Sequence, residues 1–395
     1  MASSQTLMHL FPGTPLMSSR LFIGLMSGTS LDGVDGVLAR INERGQVQVN
    51  AHAFSPFDAP FRATLLALNQ SGPDELHRGA LAGNQVSRQY AHVVRDLLKQ
   101  TSQQPEDITA IGAHGQTVRH RPLEFDGNNE KQQAAVGYTV QLINAALLAE
   151  LTGIDVVADF RNRDLAAGGQ GAPLVPAFHQ GVFGRPDQCM VAMNIGGIAN
   201  ISVLHADGSV QGWDCGPGNA LMDFWCHTHT GQAFDRDGAW AASGTVHAHL
   251  LQNLLSEGFL HRAPPKSTGR DLFNPAWLKQ HLHAFADLSA MDVQATLTEF
   301  TALTCAMDVR THAAEAKTLI VCGGGALNAH LMHRLSMHLP GIEVVSSGQR
   351  GLPPLQVEAA AFAWLAFKAL RRETASLQSV TGARGARVLG AIYPR

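Results

Sequence analysis

Two distant stretches of the sequence share a layout of two apolar runs joined by a glycine-bearing polar turn. The first is RLFIGLMSGTSLDGVDGVLARI at 20–41, and the second is MVAMNIGGIANISVL at 190–204. Apolar runs on either side of a short Gly, Ser or Asp turn are typical of a β-hairpin. One such hairpin at the start of each half favours an ancient duplication, although the sequence identity between the two is too weak to prove it.

The segments between and after the hairpins alternate between helical and strand patterns. Leucine and valine recur at helical spacing over 73–99, and 144–160 reads as a helix, a glycine turn and a buried strand. Residues 318–339 read as a buried strand, a triple-glycine turn and a helix, and the apolar run at 359–367 as a core helix too short to cross a bilayer. With 395 residues, the chain is predicted to be an α/β protein of two domains.

Charge and cysteine content narrow the class of protein. The formal net charge of -3 provides no basic field for a nucleic-acid backbone and no polybasic membrane patch. The five cysteines are odd in number and show no CxxC pair, which favours reduced thiols in a cytoplasmic protein. Residues 1–19 have no apolar signal-peptide core, so we expect a disordered leader.

The turn of the first hairpin, SGTSLDG at 27–33, is a candidate phosphate-binding loop. Backbone N–H groups of a glycine-rich turn can converge on phosphate oxygens, and the hydroxyls of Ser27, Thr29 and Ser30 can add to them. Asp32 offers a carboxylate to the water shell of a nucleotide-bound Mg²⁺. An ordinary hairpin turn explains the same residues about as well, because Ser, Asp and Gly are favoured there.

The other glycine turns are less informative singly. Gly196 and Gly197 suit a plain tight turn, but two facing hairpins suit a clamp around a polyphosphate. Gly323, Gly324 and Gly325 either end a strand or allow close approach to a flat ligand. The Rossmann GxGxxG, the Walker A lysine motif, HExxH and the GxSxG elbow are all missing from the sequence.

Several acidic residues are candidates for a catalytic carboxylate, and most aspartates in loops act as caps. The candidates are Asp159, Asp164, Asp214, Asp223, Asp235, Asp237 and Glu358. Asp214 stands out because it ends an apolar strand just before GPGN, where a carboxylate faces a cleft. Arg161 and Arg163 suit an anionic group on a ligand, with a surface salt bridge the competing explanation.

Nine of these loops, taken in series, resemble the anhydro-N-acetylmuramic acid kinase family, a member of the acetate/sugar kinase, Hsp70 and actin superfamily. The resemblance covers almost everything after residue 24. The matching strings are GLMSGTSLDGVD (24–35), HGQT (114–117), TGIDVVADFRNRD (152–164), GGQGAPLVP (168–176), NIGG (194–197), DCGPGN (214–219), FDRDG (234–238), PKSTGRDLFN (265–274) and VCGGGALN (321–328). The polar insertion at 124–133 departs from the family pattern.

The resemblance implies an actin-like (ribonuclease H-like) kinase fold of two lobes, each with a mixed five-stranded sheet and helices. We expect 20–160 plus 371–395 to form the N-terminal lobe and 161–370 the C-terminal lobe. It also implies a reaction in which ATP, 1,6-anhydro-N-acetylmuramic acid and water give ADP and N-acetylmuramic acid 6-phosphate, in peptidoglycan recycling. A homodimer is carried over from the family.

The resemblance also assigns roles to residues. Asp214 is the general base, Ser27, Arg161 and Glu358 contact the sugar, and Asp32 reaches Mg²⁺ through water. The remaining assignments are to ATP: Gly28, Thr29, Ser30, Leu31, Asp32, Gly33, Val34, Asp35, Gly196, Gly197, Gly323, Gly324 and Gly325.

Three alternatives stay open at this point. A conventional sugar or carboxylate kinase of the same superfamily would use Asp214 to deprotonate a free hydroxyl. A chaperone-like ATPase usually carries an appended peptide-binding domain, which the sequence after the last nucleotide motif does not suggest. A glycoside hydrolase with two carboxylates leaves the paired glycine hairpins unexplained.

Overall fold

The computed structural model of the protein describes residues 19–28, 30–122, 136–264, 266–269 and 272–395. Structural statements below refer to these residues. Thr29, the insertion at 124–133 and all but the last residue of the leader lie outside them.

The first sheet gathers strands from the first 160 residues and one from the C-terminal end. Its order is β12-β6-β4-β1-β2-β3, with β5 paired to β4. The β1–β4 and β4–β6 pairs are parallel and the others are antiparallel. The strands are β1 (Ser19–Ser27), β2 (Gly33–Asn42), β3 (Val47–Pro56), β4 (Ile108–Arg121), β5 (Tyr138–Leu142), β6 (Val156–Ala158) and β12 (Ala391–Tyr393).

The second sheet repeats the core of the first. Its order is β11-β10-β7-β8-β9, which corresponds strand for strand to β6-β4-β1-β2-β3. The strands are β7 (Met190–Ile195), β8 (Ile198–Leu204), β9 (Val210–Pro217), β10 (Thr318–Cys322) and β11 (Glu343–Ser346). The predicted α/β, actin-like arrangement is therefore confirmed, and both predicted hairpins form. The first sheet has seven strands instead of five, because β5 and β12 extend the shared core.

Helices connect and cover the strands. The predicted helix at 73–99 forms two residues later than expected, and the apolar run at 359–367 is a buried core helix as predicted. No helix within the described ranges is both long and apolar enough to cross a bilayer. The helices are α1 (Ala59–Ala67), α2 (Glu75–Thr101), α3 (Ala145–Thr152), α4 (Asn162–Ala166), α5 (Val175–Phe183), α6 (Ala220–Thr230), α7 (Ala239–Ser243), α8 (Ala248–Leu255), α9 (Pro275–Leu282), α10 (Ala290–His312), α11 (Ala329–His338), α12 (Val357–Leu370) and α13 (Gln378–Thr381).

Helix α12 lies between the two sheets and packs directly on the backbone of the first. A Cβ added to Gly24 of β1 would lie 1.9 Å from the carbonyl oxygen of Ala359, and one added to Gly112 of β4 equally close to that of Phe362. Glycine is needed at both positions because any side chain would push the helix away. The other face of α12 joins a core that includes Met190 of the second sheet. The predicted lobe boundaries, which place α12 in the second lobe, stay a prediction.

Candidate active site between the two sheets

One face of the second sheet, here called the inner face, looks toward α12 and the first sheet. Met190, Ala192 and Ile320 of this face are buried in the same core as α12. Because side chains alternate along a strand, Asn194 of β7 also belongs to the inner face. The strand register then runs from Cys322 through Asn194 and Asn200 to Asp214. Asn194, Asn200 and Asp214 thus form a polar row across three strands, and Cys322 beside them belongs to the apolar core.

Asp214 stands at the end of this row, beside a β-bulge. The β8–β9 register slips between Ala199 and Asn200, which leaves Cys215 as the extra residue on β9. A bulge of this kind bends the strand and re-aims the neighbouring side chains. The carboxylate oxygen Oδ2 of Asp214 accepts hydrogen bonds from the backbone N–H of Thr268 at 2.9 Å and from Ser267 Oγ at 3.0 Å.

The environment of Asp214 sets its acidity. Burial raises the pKa of the Asp214 carboxyl, while the hydrogen bonds from Thr268 and Ser267 and the charge of Lys266 work against that rise. The net shift is upward. A carboxylate held in a half-buried place with an elevated pKa is suited to accept a proton from a bound molecule.

The glycine turns of the second half come together next to this row. A Cβ on Gly323, where φ is +78°, would lie 2.4 Å from Asn194 Oδ1, and one on Gly325 would lie 2.5 Å from Ile195 Cγ2. Gly196 accepts a 2.7 Å hydrogen bond from the backbone N–H of Asn219, so the Gly196-Gly197 turn lies against the start of α6. Glycine is required at positions 323 and 325, whereas Gly196 has no neighbour closer than 3.7 Å to an added Cβ. The surface formed by the Gly196-Gly197 and Gly323–Gly325 turns is here called the glycine hollow.

Asn219 lies at the start of α6. It occupies the N-cap position of α6, but its side chain makes no capping bond. Instead, Nδ2 donates to the carbonyl oxygen of Ile195 at 3.0 Å. The amide therefore fastens the helix start to the end of β7. The positive end of the α6 dipole faces the glycine hollow, which favours an anion there.

The loop of the first hairpin is held by its own backbone and by β4. The carbonyl oxygen of Gly28 accepts from Leu31 N–H at 3.2 Å and from Gln116 Nε2 at 3.1 Å. Asp32 is largely exposed, with a carboxylate oxygen 3.7 Å from Arg62. Val34 is buried in the core of the first sheet. Gly28 is thus tied to β4, and Asp32 is an exposed acidic group of the loop.

Ser27 and Asp35 lie on opposite faces of the first sheet. Ser27 is buried, with its Oγ 3.0 Å from the Tyr90 hydroxyl of α2, and it donates to the carbonyl oxygen of Gly115 at 3.2 Å. Asp35 is on the face that turns toward α12 and pairs with His52 at 3.0 Å. The Ser27 hydroxyl therefore lies on the α2 side of the sheet, whereas the backbone of Ser27 lies beside His114, the hydrogen-bond partner of Arg161.

Arg161 and His114 form a polar cluster above α12. The Arg161 guanidinium donates to His114 Nε2 at 3.1 and 2.9 Å and to the carbonyl oxygen of Gly171 at 2.8 Å. Burial, and then the charge of Arg161, hold the pKa of His114 well below its usual range. Burial also lowers the pKa of Arg161 to about 10, against the effect of Glu358. His114 is therefore neutral and Arg161 charged, with the second nitrogen of His114, Nδ1, buried and unpartnered.

Glu358 connects the two halves of the site. Burial and then the charge of Asp35 raise the pKa of Glu358, and Arg161 lowers it. Glu358 in turn raises the pKa of Cys322, the residue before the triple glycine, although burial contributes more. The segment that leads into α12 also bonds to that turn, since Gly323 N–H donates to Pro354 O at 3.0 Å. Glu358 is thus within electrostatic reach of the first hairpin, of the Arg161 and His114 cluster and of the residue before the triple-glycine turn.

Other candidate carboxylates have structural partners. Asp164 is buried and accepts from Gly171 N–H at 2.8 Å and Thr381 Oγ1 at 2.9 Å. Asp235 accepts from the backbone N–H groups of Trp240 and Ala241, both at 2.9 Å. Asp159 bonds to Asn162 at the start of α4. These contacts are those of caps and loop anchors.

Sequence reasoning left several residues of the site without a role. Asn194 and Asn200 are polar residues within apolar strands, at positions where the alternation of side chains places them on the inner face. The sequence therefore contained a signal for both. His114 lay in a quoted motif, but its bond to Arg161 depends on the pairing of distant segments. Ser267 and Thr268 also lay in a quoted motif, PKSTGRDLFN, but their bonds to Asp214 depend on a loop more than 50 residues further along the chain.

Comparison with known proteins adds an independent finding. A model of the family described as "Anhydro-N-acetylmuramic acid kinase" matches residues 20–395. The chain is 62% identical over 383 residues to the anhydro-N-acetylmuramic acid kinase of Variovorax paradoxus, with 96% of this chain and 100% of the relative covered. It is 57% identical over 397 residues to the protein of the same name from Albidiferax ferrireducens, covering 95% and 100%.

Solved structures that align with this chain have much lower sequence identity to it. The activator of the 2-hydroxyisocaproyl-CoA dehydratase from Clostridium difficile with bound ADPNP aligns with a TM-score of 0.46 and 11% identity, covering 89% of this chain and 96% of that one. A ROK family glucokinase from Streptomyces griseus in complex with glucose and AMPPNP aligns with a TM-score of 0.38 and 12% identity, covering 87% and 98%.

Proposed function

The chain belongs to the anhydro-N-acetylmuramic acid kinase family, and on that premise we propose how the site between its two sheets carries out the family's reaction. The enzyme is a phosphotransferase. Its substrates are ATP, 1,6-anhydro-N-acetylmuramic acid and water, and its products are ADP and N-acetylmuramic acid 6-phosphate.

The chemistry requires a general base for water. In the anhydro sugar O6 is tied to C1, so it carries no hydrogen and cannot act as an ordinary hydroxyl acceptor. A water molecule must attack C1 while the C1–O6 bond breaks, and O6 then takes the γ-phosphoryl group as the bond to ADP breaks. The proton lost by the water goes to the base and afterwards to solvent.

Asp214 is the base in this proposal. The observation that carries it is the position of Asp214 on the inner face, in one row with Asn194 and Asn200 and beside the glycine hollow. Two donors hold its Oδ2, which orients the carboxylate toward one water. Proton removal by a positioned carboxylate accounts for about 10²–10⁴-fold in rate. Alignment of the reactants supplies much of the remainder.

The nucleotide is placed in the glycine hollow of the second half and against the loop of the first hairpin. Gly196, Gly197 and the glycines at 323–325 supply backbone rather than bulky side chains, and positions 28–35 form the loop of the first hairpin. Helix α6 directs its positive end toward the phosphates. Asp32 suits a Mg²⁺ shell, since its exposed carboxylate leaves room for the waters that Mg²⁺ keeps. When bound, Mg²⁺ neutralises charge on the transferring phosphoryl group.

The sugar is placed over α12, between Asp214 and the Arg161 cluster. Arg161 is charged, and its planar donors suit the lactyl carboxylate of the substrate. Glu358, within the electrostatic reach of Arg161 and Asp35, suits a sugar hydroxyl. Ser27, assigned to the sugar from the resemblance, has its hydroxyl bonded on the opposite face of the sheet, so its contribution is indirect. We further propose a cytoplasmic homodimer.

Turnover of the anhydro sugar with and without MgATP tests the proposal. We expect product only with MgATP, and none above background from Asp214→Asn, a variant that keeps the shape of the side chain. In ¹⁸O-labelled water the label should enter the sugar. A kinase acting on a free hydroxyl would leave the sugar unlabelled, and a hydrolase would need no ATP.

A further inference from the structure

A buried ion pair lies directly behind Asp214. Lys266 Nζ is 3.2 Å from Asp308 Oδ1, and the two side chains are only 2% and 9% exposed. Lys266 Nζ also donates to the carbonyl oxygen of Leu260 at 3.2 Å and lies 5.4 Å from the centre of the Phe259 ring. A charged pair withdrawn from water in this way carries a large desolvation cost, and apolar side chains often fill such a place equally well. Stability alone therefore does not account for the pair.

The lysine end of the pair begins the loop that orients Asp214. The carbonyl oxygen of Lys266 accepts a 3.1 Å hydrogen bond from the backbone N–H of Asp214. The next two residues, Ser267 and Thr268, donate to the Asp214 carboxylate. Residues 266–268 thus hold both the backbone and the side chain of Asp214. The ion pair with Asp308 in turn fixes the side chain of Lys266.

The aspartate end of the pair holds the strand that carries Asp214. Asp308 Oδ2 accepts from the indole Nε1 of Trp213 at 3.1 Å, and Trp213 immediately precedes Asp214 on β9. Asp308 belongs to α10, a 23-residue helix, so its position is fixed by a rigid element. Cys215 is a titratable neighbour whose thiol interacts with Asp308 and Cys305, and the ring of His312 lies against Trp213. His261 and Arg262 line a cavity together with Asp308.

We propose that Lys266 and Asp308 are positioning residues for the general base, tying the 266–268 loop and strand β9 to α10 so that Asp214 keeps one orientation. The inference rests on the proposed role of Asp214. Neither side chain touches a substrate; both act through Asp214 and its donors. The buried ammonium also lies close enough to favour the charged form of the base.

Two variants of the full-length enzyme test the proposal, assayed with MgATP and the anhydro sugar. Lys266→Met combined with Asp308→Leu replaces the pair by apolar side chains. We expect a folded protein with kcat about ten- to a hundredfold lower, since small misplacements of reacting groups cost that much. The acid limb of its pH profile should move to higher pH, because Asp214 loses a neighbouring positive charge. The KM for ATP should stay unchanged.

Asp308→Asn is the milder variant, with the same shape and the Lys266 charge retained. We expect its kcat to fall by about tenfold. Glu299→Gln is the matched control, because Glu299 is a second buried carboxylate on α10 that pairs with Arg334 at 2.6 Å, away from Asp214. It should lower stability and leave kcat and the pH profile as in the wild type.

The outcome separates this inference from the proposed function. If Asp214→Asn is inactive but both pair variants are folded and match the wild type in kcat and pH profile, the positioning role is wrong and the base assignment stands. If Asp214→Asn turns over normally, the base assignment is wrong and the positioning role goes with it.

Discussion

The backbone N–H of Thr268 and the hydroxyl of Ser267 both donate to the same oxygen of Asp214, at 2.9 and 3.0 Å. Donors that bond to a carboxylate favour its charged form, so this pair offsets part of the rise in pKa that burial causes. A base must be deprotonated before it can work. The two contacts therefore set the lower end of the pH range in which the enzyme is active.

Ser267→Ala removes one of these donors. The pKa of Asp214 should rise further, so the variant should lose activity at a higher pH than the wild type and match it at alkaline pH. We expect roughly a three- to tenfold loss of kcat on the acid limb, since the bond is charge-assisted but partly solvated. The pH profile of kcat measures this. Ser256→Ala, at an exposed serine that bonds only to its own helix end, should leave the profile unchanged.

Gly323→Ala tests the glycine hollow. The new Cβ would meet Asn194 Oδ1 and the carbonyl oxygen of Ile195 at 2.4 and 2.7 Å, at a positive φ. We expect the KM for ATP to rise by at least about tenfold, because the turn or Asn194 must move. Gly341→Ala has a similar φ of +86° but no atom within 4 Å of the added carbon, so it carries the backbone cost, about 1–3 kcal/mol, without the collision. A KM for ATP equally raised in both variants would contradict the prediction.

Arg161→Lys tests the polar cluster of Arg161 and His114. A lysine ammonium cannot bond to His114 and Gly171 as the guanidinium does and still present a fork to a ligand carboxylate. The KM for the anhydro sugar should rise by about tenfold or more, which corresponds to about 1.4 kcal/mol, while the KM for ATP stays within about twofold. Steady-state kinetics with each substrate varied in turn distinguish the two. Arg163→Lys is the control. Arg163, also a candidate from the sequence, is an exposed residue of α4, so its substitution should change neither constant.

Tyr90→Phe tests the link between α2 and the first hairpin. The Tyr90 hydroxyl accepts from Gly115 N–H at 3.1 Å and contacts Ser27 Oγ. Its loss leaves a buried N–H without an acceptor, at a cost of about 1–3 kcal/mol in the free energy of unfolding. Urea denaturation measures that change. Tyr138→Phe, at an exposed tyrosine, should alter stability by less than about 0.5 kcal/mol.

Glu299→Gln should destabilise the protein near neutral pH and have little effect in acid. Burial alone would raise the pKa of Glu299, but Arg334 and His338 outweigh it and the net shift is downward. A lowered folded pKa contributes stability above the ordinary value of 4.5, and this contribution is lost as the pH falls through the folded value. We expect about 1.5–3 kcal/mol at pH 7. An equal difference at both ends of the pH range, in urea titrations, would count against the ion pair.

Much of the fold followed from local patterns. The two hairpins, the helix at 359–367 and the strand before the triple glycine all carry alternation or apolar runs that decide their structure. The two extra strands of the first sheet could not be predicted, because β12 is three residues long and pairs with a strand more than 200 residues earlier. Short edge strands depend on tertiary contacts rather than on their own sequence.

Some residues of the site could be predicted from the sequence, and others could not. Asp214 could be singled out because it ends an apolar strand, and the structure places it on the inner face. The assignment of Ser27 to the sugar stays a prediction, because a serine in a glycine-rich turn has the same local signature whether its hydroxyl faces a ligand or, as here, Tyr90. The anchoring of Lys266 by Asp308 was invisible in the sequence, since 42 residues separate the two.

The close approach of α12 to β1 and β4 determines where the molecule can bend. With carbonyl oxygens of the helix seated over Gly24 and Gly112, the helix and the first sheet must travel as a single rigid block. Glu358, at the start of α12, therefore keeps its distance from Asp35 of the first sheet. The bond from Gly323 N–H to the carbonyl oxygen of Pro354, just before the helix, fastens the triple-glycine turn to the same block.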